Sequence, residues 1–535
     1  MAKRLALLLL LVLAVSSVPA FSDPTALVSA VYERAQAPLL WSAGGRLTAQ
    51  GDELLVVLSQ VAALGLRPED YDQPELAALA VQLRPDAPPQ DWALFDRRLT
   101  RAAVQLIQHL HYGRIDPRAA GFELPEPRAD LDVAATVVAL AAAPRVAVAV
   151  AAVEPQFYHY QLLKQALARY RALLPDATLT QLPSPGKHTL HADDAYPGAA
   201  ALRRLLLAEG DLVAPATAPS DATGDGRLDA DLVAALKHYQ DRHGLEPDGS
   251  LGATTFAALT TPFAARVRQI ELTLERWRWL PPFDTPPIIV NIPEFRLFAF
   301  STTADRVASI LQMPVIVGQA YADKRTPIFV GDLKYVVFRP YWDVPRSILV
   351  REMLAKIREN PNYLAKEHLE IVAGESDEAP GLAPNATNIA SLAAGQLRVR
   401  QLPGPDNALG LIKFIFPNVH DVFMHSTPAR RLFSESRRAF SHGCIRVSDP
   451  GALAEFVLHN AVPTWSRAEI DAAMQTGDNR RIALHQPIHV MILYGTALAT
   501  EAGPVEFFDD IYGLDRKLER LLGLPRLSRG TQHGD

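Results

Sequence analysis

A chain of 535 residues with one cysteine, Cys444, has no internal disulfide available to hold it together. Its domains must be held by buried apolar surface, and 49% hydrophobic residues supply enough of it for about three domains. The start of the chain makes the single cysteine unusual. Lys3 and Arg4 precede an apolar run over 5–15 and the small-residue site Val18-Pro19-Ala20, so 1–20 read as a secretory signal. The run is shorter than the roughly 20 residues a membrane span needs; an uncleaved signal anchor is the alternative. No cysteine follows the run, which argues against a lipid anchor. Exported thiols usually pair, so Cys444 is either inert or kept for its chemistry. It sits in Ala-Phe-Ser-His-Gly-Cys-Ile-Arg-Val (439–447), with His442 and His425 upstream. Gly443 before it lets backbone approach a reacting group. These neighbours favour a nucleophile.

From 21 to 175 the pattern is helical. Leu54, Leu55, Leu58, Val61 and Ala62 repeat at three- and four-residue spacing, as do Leu99, Ala102, Ala103, Leu106 and Leu110. The Ala-rich stretch 133–153 is broken by Pro144 and Arg145 and does not read as a span. His109, His111 and Tyr112, near a helix end, suit packing rather than a metal. This region reads as a helical scaffold, and the Pro-containing 176–195 as a linker. Over 196–265 three short helices are expected. Gly210 ends the first, Asp229 caps the second, and the turn Glu246-Pro247-Asp248-Gly249 leads to the third. With Leu236-Lys237-His238-Tyr239-Gln240 and Asp248-Gly249-Ser250-Leu251-Gly252, this unit resembles the peptidoglycan-binding type 1 domain. Asp221-Ala-Thr-Gly-Asp225-Gly226 looks like the start of a calcium loop, but Leu232 occupies the twelfth position, where a carboxylate is required. No calcium is expected, and 215–226 read as a flexible insertion.

After Arg278 the residues become β-branched and aromatic. Strands are expected at 288–292, 296–300, 314–318, 328–337, 411–416, 422–425 and 489–494. An interruption over about 339–410 carries a helix capped by Ser347 and a Gly-, Ala- and Pro-rich segment over 374–395. Insertions of that size inside a sheet are functional or disordered. The chain from 501 to 535 reads as a tail with a charged helix at 515–522.

A cysteine nucleophile needs a histidine to take its proton, and that histidine needs a third group to fix its tautomer. His425, at the end of an apolar strand, is the candidate base. Backbone N–H groups around Gly443 and Cys444 are candidate oxyanion donors. His425, fifteen residues, then Ser441-His442-Gly443-Cys444-Ile445-Arg446 resembles the signature of the L,D-transpeptidase catalytic domain, the YkuD-like fold. Tyr341-Trp342-Asp343-Val344-Pro345, Asn407-Ala408-Leu409-Gly410, Lys413-Phe414, Phe416-Pro417-Asn418 and Asp510-Ile511-Tyr512-Gly513 are similar to the large YcbB-type members, as is the domain order. The expected architecture is therefore multidomain α+β. It comprises a helical scaffold, a three-helix peptidoglycan-binding domain, and a mainly-β catalytic domain over 266–500 with an inserted lid.

The resemblance implies an enzyme that joins diaminopimelate residues of two peptidoglycan stems through a Cys444 thioester, releasing D-alanine from a tetrapeptide donor. Cys444 is then nucleophile and His425 base, with the Ser426 carbonyl orienting His425. Ser441, His442 and Gly443 shape the pocket, Arg446 supports the site or meets a substrate carboxylate, and Trp342 and Asn407 line the lid side. Phe423 stands where some YcbB-type members have tyrosine. No cofactor and no metal are implied, the partners are stem peptides, and the location is the periplasm. A net charge of -6 argues against nucleic acid. A zinc site of His425, His442 and Cys444 lacks an evident fourth ligand, and a papain-like enzyme would place its cysteine before its histidine. A carboxypeptidase or endopeptidase using the same pair, and a non-catalytic wall anchor, stay open as alternatives.

Overall fold

Helical periodicity in the N-terminal third becomes, in the computed structural model, a set of helices around Pro89–Tyr112. The structure describes residues 23–125, 130–213, 226–281, 285–302, 310–360, 362–459, 461–501, 503–525 and 527; the signal read at 1–20 and nearly all of the insertion read at 215–226 lie outside these. The chain divides into two compact units. The first comprises residues up to Asp116 together with Glu126–Gln156 and Trp277–Pro281. In it the long helix turns Phe95, Leu99, Ala103, Leu106 and Leu110 onto Leu54, Leu58, Val61 and Val137. Asp96, fully buried on that helix, accepts hydrogen bonds from the Tyr32 and Ser42 hydroxyls and from the Leu40 and Trp41 amides. Four donors offset the cost of burying its charge. His109 packs edge-on to Tyr71 and shares a 2.9 Å hydrogen bond with its hydroxyl.

The second unit comprises Pro117–Pro125, Phe157–Arg276 and the chain from Pro282 on, and it includes Tyr158–Leu173, a helix that the sequence pattern groups with the scaffold. The three helices Ala199–Glu209, Ala230–Arg242 and Ala253–Leu259 follow. Asp229 caps the second by accepting the Leu232 amide. Gln240 pins the Pro-Asp-Gly turn, donating to Asp248 and Ser250 and accepting from the Gly249 amide. The stretch read as a linker is tied to this unit, since Leu190 bridges to Leu251 and the Tyr196 hydroxyl donates to the Pro183 carbonyl.

The main sheet of this unit is built from β1 (Phe122–Glu123), β2 (Ile288–Asn291), β3 (Arg296–Ala299), β4 (Leu311–Gly318), β5 (Ile328–Phe338), β6 (Ile412–Ile415), β7 (Met424–His425), β8 (Ala439–Ser441), β9 (Ile445–Val447) and β10 (Arg480–Leu493). The order is β6-β7-β9-β4-β3-β2-β10-β5-β1, with β8 on β4. Because β5 also pairs with β6, the ladder closes on itself. Strand β10 starts well before 489, where the sequence pattern placed its beginning. Between β5 and β6 the insertion folds around its own core of Val344, Leu349, Met353, Ile357, Leu369, Ile371, Leu392 and Val399. Its three short strands are Trp342–Asp343, Leu369–Val372 and Arg398–Gln401. Buried Arg400 orders the Gly- and Pro-containing loop by donating to the Ser376, Asp377 and Ala379 carbonyls while paired with Glu370. The helix here begins at Arg346 after Pro345, with no side-chain cap. Ser347 lies inside it, which corrects the capping role expected from the sequence.

The stretch after 500 is woven into the sheet unit. Glu506–Phe507 pairs with Ala497–Leu498, and Asp515 is ion-paired to Arg276 at 2.5 Å while accepting from the Thr496 hydroxyl. Both members of that pair are almost wholly removed from water, and removing one leaves the other uncompensated. Arg276→Met is therefore expected to lower the stability of this unit by about 3–5 kcal/mol, read from its urea midpoint. An unchanged midpoint would mean that the C-terminal segment contributes nothing to the fold.

Candidate active site

Sheet register brings the reactive residues together. Lys413 on β6 is opposite His425 on β7, and His425 is opposite Arg446 on β9. Laterally paired residues share a face, so the three form one row. The alternate row, Phe414, Met424 and Ile445, is fully buried. The apolar alternation that holds these strands on the core thus puts the polar row on the other face. The Ile445 amide donates to the Phe423 carbonyl at 3.0 Å, carrying the pairing on to Phe423 and Cys444. The Phe423 ring is 5.6 Å from that of His425.

His425 is buried, 4% exposed, and its Nδ1 lies 2.5 Å from the Ser426 carbonyl. A carbonyl only accepts, so Nδ1 carries the proton and the lone pair is on Nε2. Burial, then the Arg446 charge, pushes the His425 pKa down to about 3, with Lys413 acting in the same direction and the Ser426 and Leu409 backbone against it. Burial pushes the Cys444 thiol up, against the Phe423 amide, Lys413 and Arg446. At neutral pH both are uncharged, and the register sets Cys444 two residues before Arg446, diagonal to His425 on the same face. Cys444 is half-buried and Sγ lies 3.7 Å from the Asp421 carbonyl. Asp421 ends a turn held by Asn418, whose side chain bonds the backbone of Phe416, His420 and Val422.

The turn bearing the nucleophile is fixed from both sides. Gly443 has φ +123°, a conformation closed to other residues. Its carbonyl accepts from the Thr326 hydroxyl at 2.8 Å, and that hydroxyl accepts from the Gly318 amide. The Tyr512 hydroxyl accepts from the Thr326 amide and donates to the Gly318 carbonyl. Gly318 is required because any Cβ would lie 2.1 Å from the Lys324 carbonyl oxygen. Buried Ser441 donates to the Cys444 carbonyl and accepts the Gly443 amide at 3.1 Å. This corrects the sequence expectation. The Gly443 N–H is already engaged, and the Cys444 N–H is the donor left for an oxyanion.

The other expected site residues separate. His442 is exposed and faces Glu352 of the insertion at 3.2 Å. Arg446 is half-buried, and its Nε has no hydrogen-bond partner. Trp342 pairs with Gln401 and packs on the insertion core. Asn407 is 1% exposed, with its amide donating to the Pro340, Gln401 and Leu402 carbonyls and its oxygen accepting the Leu409 amide. It shapes a turn and offers no polar atom to a ligand. Thr326 and Lys413 were not among the expected site residues. Strand alternation points to Lys413, one position from core-facing Phe414; nothing in the sequence marks Thr326.

Residues 286–486 match the family model described as the L,D-transpeptidase catalytic domain, YkuD. Residues 197–259 match one described as "Putative peptidoglycan binding domain", and 26–167 one described as a scaffold domain. A Haemophilus influenzae protein described as "Putative L,D-transpeptidase" is 31% identical over 251 residues, 47% of this chain and 49% of that protein. The match thus spans about half the length of that relative.

A neutral resting pair makes a kinetic statement. Alkylation of Cys444 by iodoacetamide is expected to rise steadily with pH through and above the ordinary cysteine range, because only the thiolate reacts and burial holds its pKa up. A plateau of high reactivity between about pH 5 and 8 would instead mean a pre-formed thiolate–imidazolium pair.

Proposed function

Because the chain carries a YkuD L,D-transpeptidase catalytic domain beside a peptidoglycan-binding domain, we propose that it forms 3→3 cross-links between peptidoglycan stems by way of a Cys444 thioester. The observation that carries the reading is a thiol one register step along the sheet from a buried histidine whose Nδ1 proton is held by a carbonyl, leaving the lone pair on Nε2. The thiol proton passes to Nε2 as sulfur attacks the carbonyl that joins diaminopimelate to D-alanine. Negative charge on the carbonyl oxygen meets the Cys444 N–H, and the Lys413 and Arg446 cations favour it. The imidazolium then protonates the departing D-alanine amine, leaving a thioester on Cys444 and a neutral His425. A second stem's side-chain amine gives its proton to Nε2, attacks the thioester and returns the thiol. No cofactor enters any step.

The domain order and the wall-binding unit support action on peptidoglycan outside the cytoplasm, in the periplasm. Among the described residues no helix is long and apolar enough to cross a membrane. A wall-binding unit raises the local concentration of acceptor stems, which favours the amine over water as acceptor.

Disaccharide-tetrapeptide incubated with the full chain is expected to give a dimer whose mass equals two substrates minus one D-alanine. Cys444→Ala abolishes it, and His425→Ala slows it by about 10²- to 10⁴-fold. Tripeptide and free D-alanine alone would make the protein a carboxypeptidase on the same pair. No turnover of the stem at all would overturn the reading.

A further inference from the structure

Lys413 is a cation with no counter-ion. Its ammonium lies 3.8 Å from the centroid of the Phe423 ring, and no hydrogen bond or ion pair joins it to any described residue. Cys444 first, then Asp377 and Asp421, act on it electrostatically without pairing, and Arg481 repels it. The residue is half-buried, so its charge is partly stripped of water. On the far side of His425 stands a second such cation, Arg446. Two partly desolvated cations flanking one imidazole are costly unless an anion comes to them.

The chemistry of the donor supplies that anion, given the transpeptidase reading on which this inference rests. For His425 to protonate the leaving amine, the scissile nitrogen must stand at Nε2. The next atoms of the leaving group are the D-alanine Cα and its carboxylate. Neighbouring strands are about 4.8 Å apart, so a carboxylate two bonds beyond a nitrogen held over β7 arrives at the flank of that strand. On one flank Arg446 shares its strand with the nucleophile. On the other, Lys413 is opposite His425 and its ammonium reaches over Phe423, the residue just before β7 and level with Cys444.

We propose that Lys413 is a specificity-determining residue that receives the free terminal carboxylate of the donor stem, with Arg446 as the second cation across His425. A stem whose terminus is blocked or amidated lacks the group that these cations need. The reading also explains why a lysine is kept on a strand whose neighbouring side chains at 412 and 414 are wholly buried.

The test separates recognition from electrostatic support of catalysis. In the full chain carrying Cys444→Ala, binding of disaccharide-tetrapeptide is compared by calorimetry with binding of its C-terminal carboxamide. The acid is expected to bind about 10- to 100-fold more tightly, the range for a hydrogen bond to a charged group. Adding Lys413→Met should bring the acid down to the amide's affinity and leave the amide unchanged, and Lys413→Arg should restore part of the preference. Equal binding of acid and amide with Lys413 in place would overturn the proposal, whatever the variants do. So would a Lys413→Met loss that falls equally on both ligands in a protein with an unchanged unfolding midpoint. Acid-selective, Lys413-dependent binding by a protein that turns over no stem would keep this proposal and remove the transpeptidase reading.

Discussion

The hydrogen bond from His425 Nδ1 to the Ser426 carbonyl decides which ring nitrogen can act. Everything chemical at this site follows from it. With Nδ1 committed, Nε2 is the sole acceptor the imidazole can offer a thiol or an amine. Burial and two flanking cations keep the ring unprotonated, so it is ready as a base at neutral pH. The same cations favour the negative charge that develops once the proton has moved. A charged resting pair would gain reactivity towards any electrophile, whereas a neutral one reacts when a bound substrate brings its carbonyl to the sulfur.

That geometry depends on residues far away in sequence. Gly443 needs its left-handed backbone, and its carbonyl is held by Thr326, which is tied in turn to Tyr512. Tyr512 lies in the C-terminal segment, anchored nearby by the buried Arg276–Asp515 pair. The nucleophile's position thus rests on contacts spanning nearly two hundred residues (326 to 515), none of which touches sulfur. The insertion brings a separate core and, through Glu352, a contact to His442. It is a folded element that meets the catalytic turn through this pair.

Much of this was legible in the sequence because the pattern is physical. A lone cysteine, an apolar strand ending in histidine and a glycine before the thiol each limit what the chain can do. The three-helix unit announced itself through its cap at Asp229 and its Pro-Asp-Gly turn, both of which the structure contains. What the sequence hid were directions and distant partners. Gly443 was expected to give its N–H to an oxyanion, but Ser441 takes it, a choice made by one side-chain rotamer. Asn407 looked like a groove residue, yet its amide is used by three carbonyls of its own turn. The stretch after 500 read as a tail because its partner, Arg276, is 239 positions away. Lys413 entered only as part of a motif, with no role, since a lysine in a strand usually means a solvated face; the register shows that it shares a row with the base.

The central claim is that Cys444 carries the donor acyl group and that His425 puts it there. Mixing the full chain with disaccharide-tetrapeptide, quenching in acid within milliseconds to seconds and weighing the intact protein tests it directly. An adduct of one donor stem less D-alanine, mapped to Cys444 by peptide mass and nearly absent in His425→Ala at the same times, is the predicted result. D-alanine released at full rate with no mass on Cys444, or an adduct that forms equally fast without His425, would contradict it.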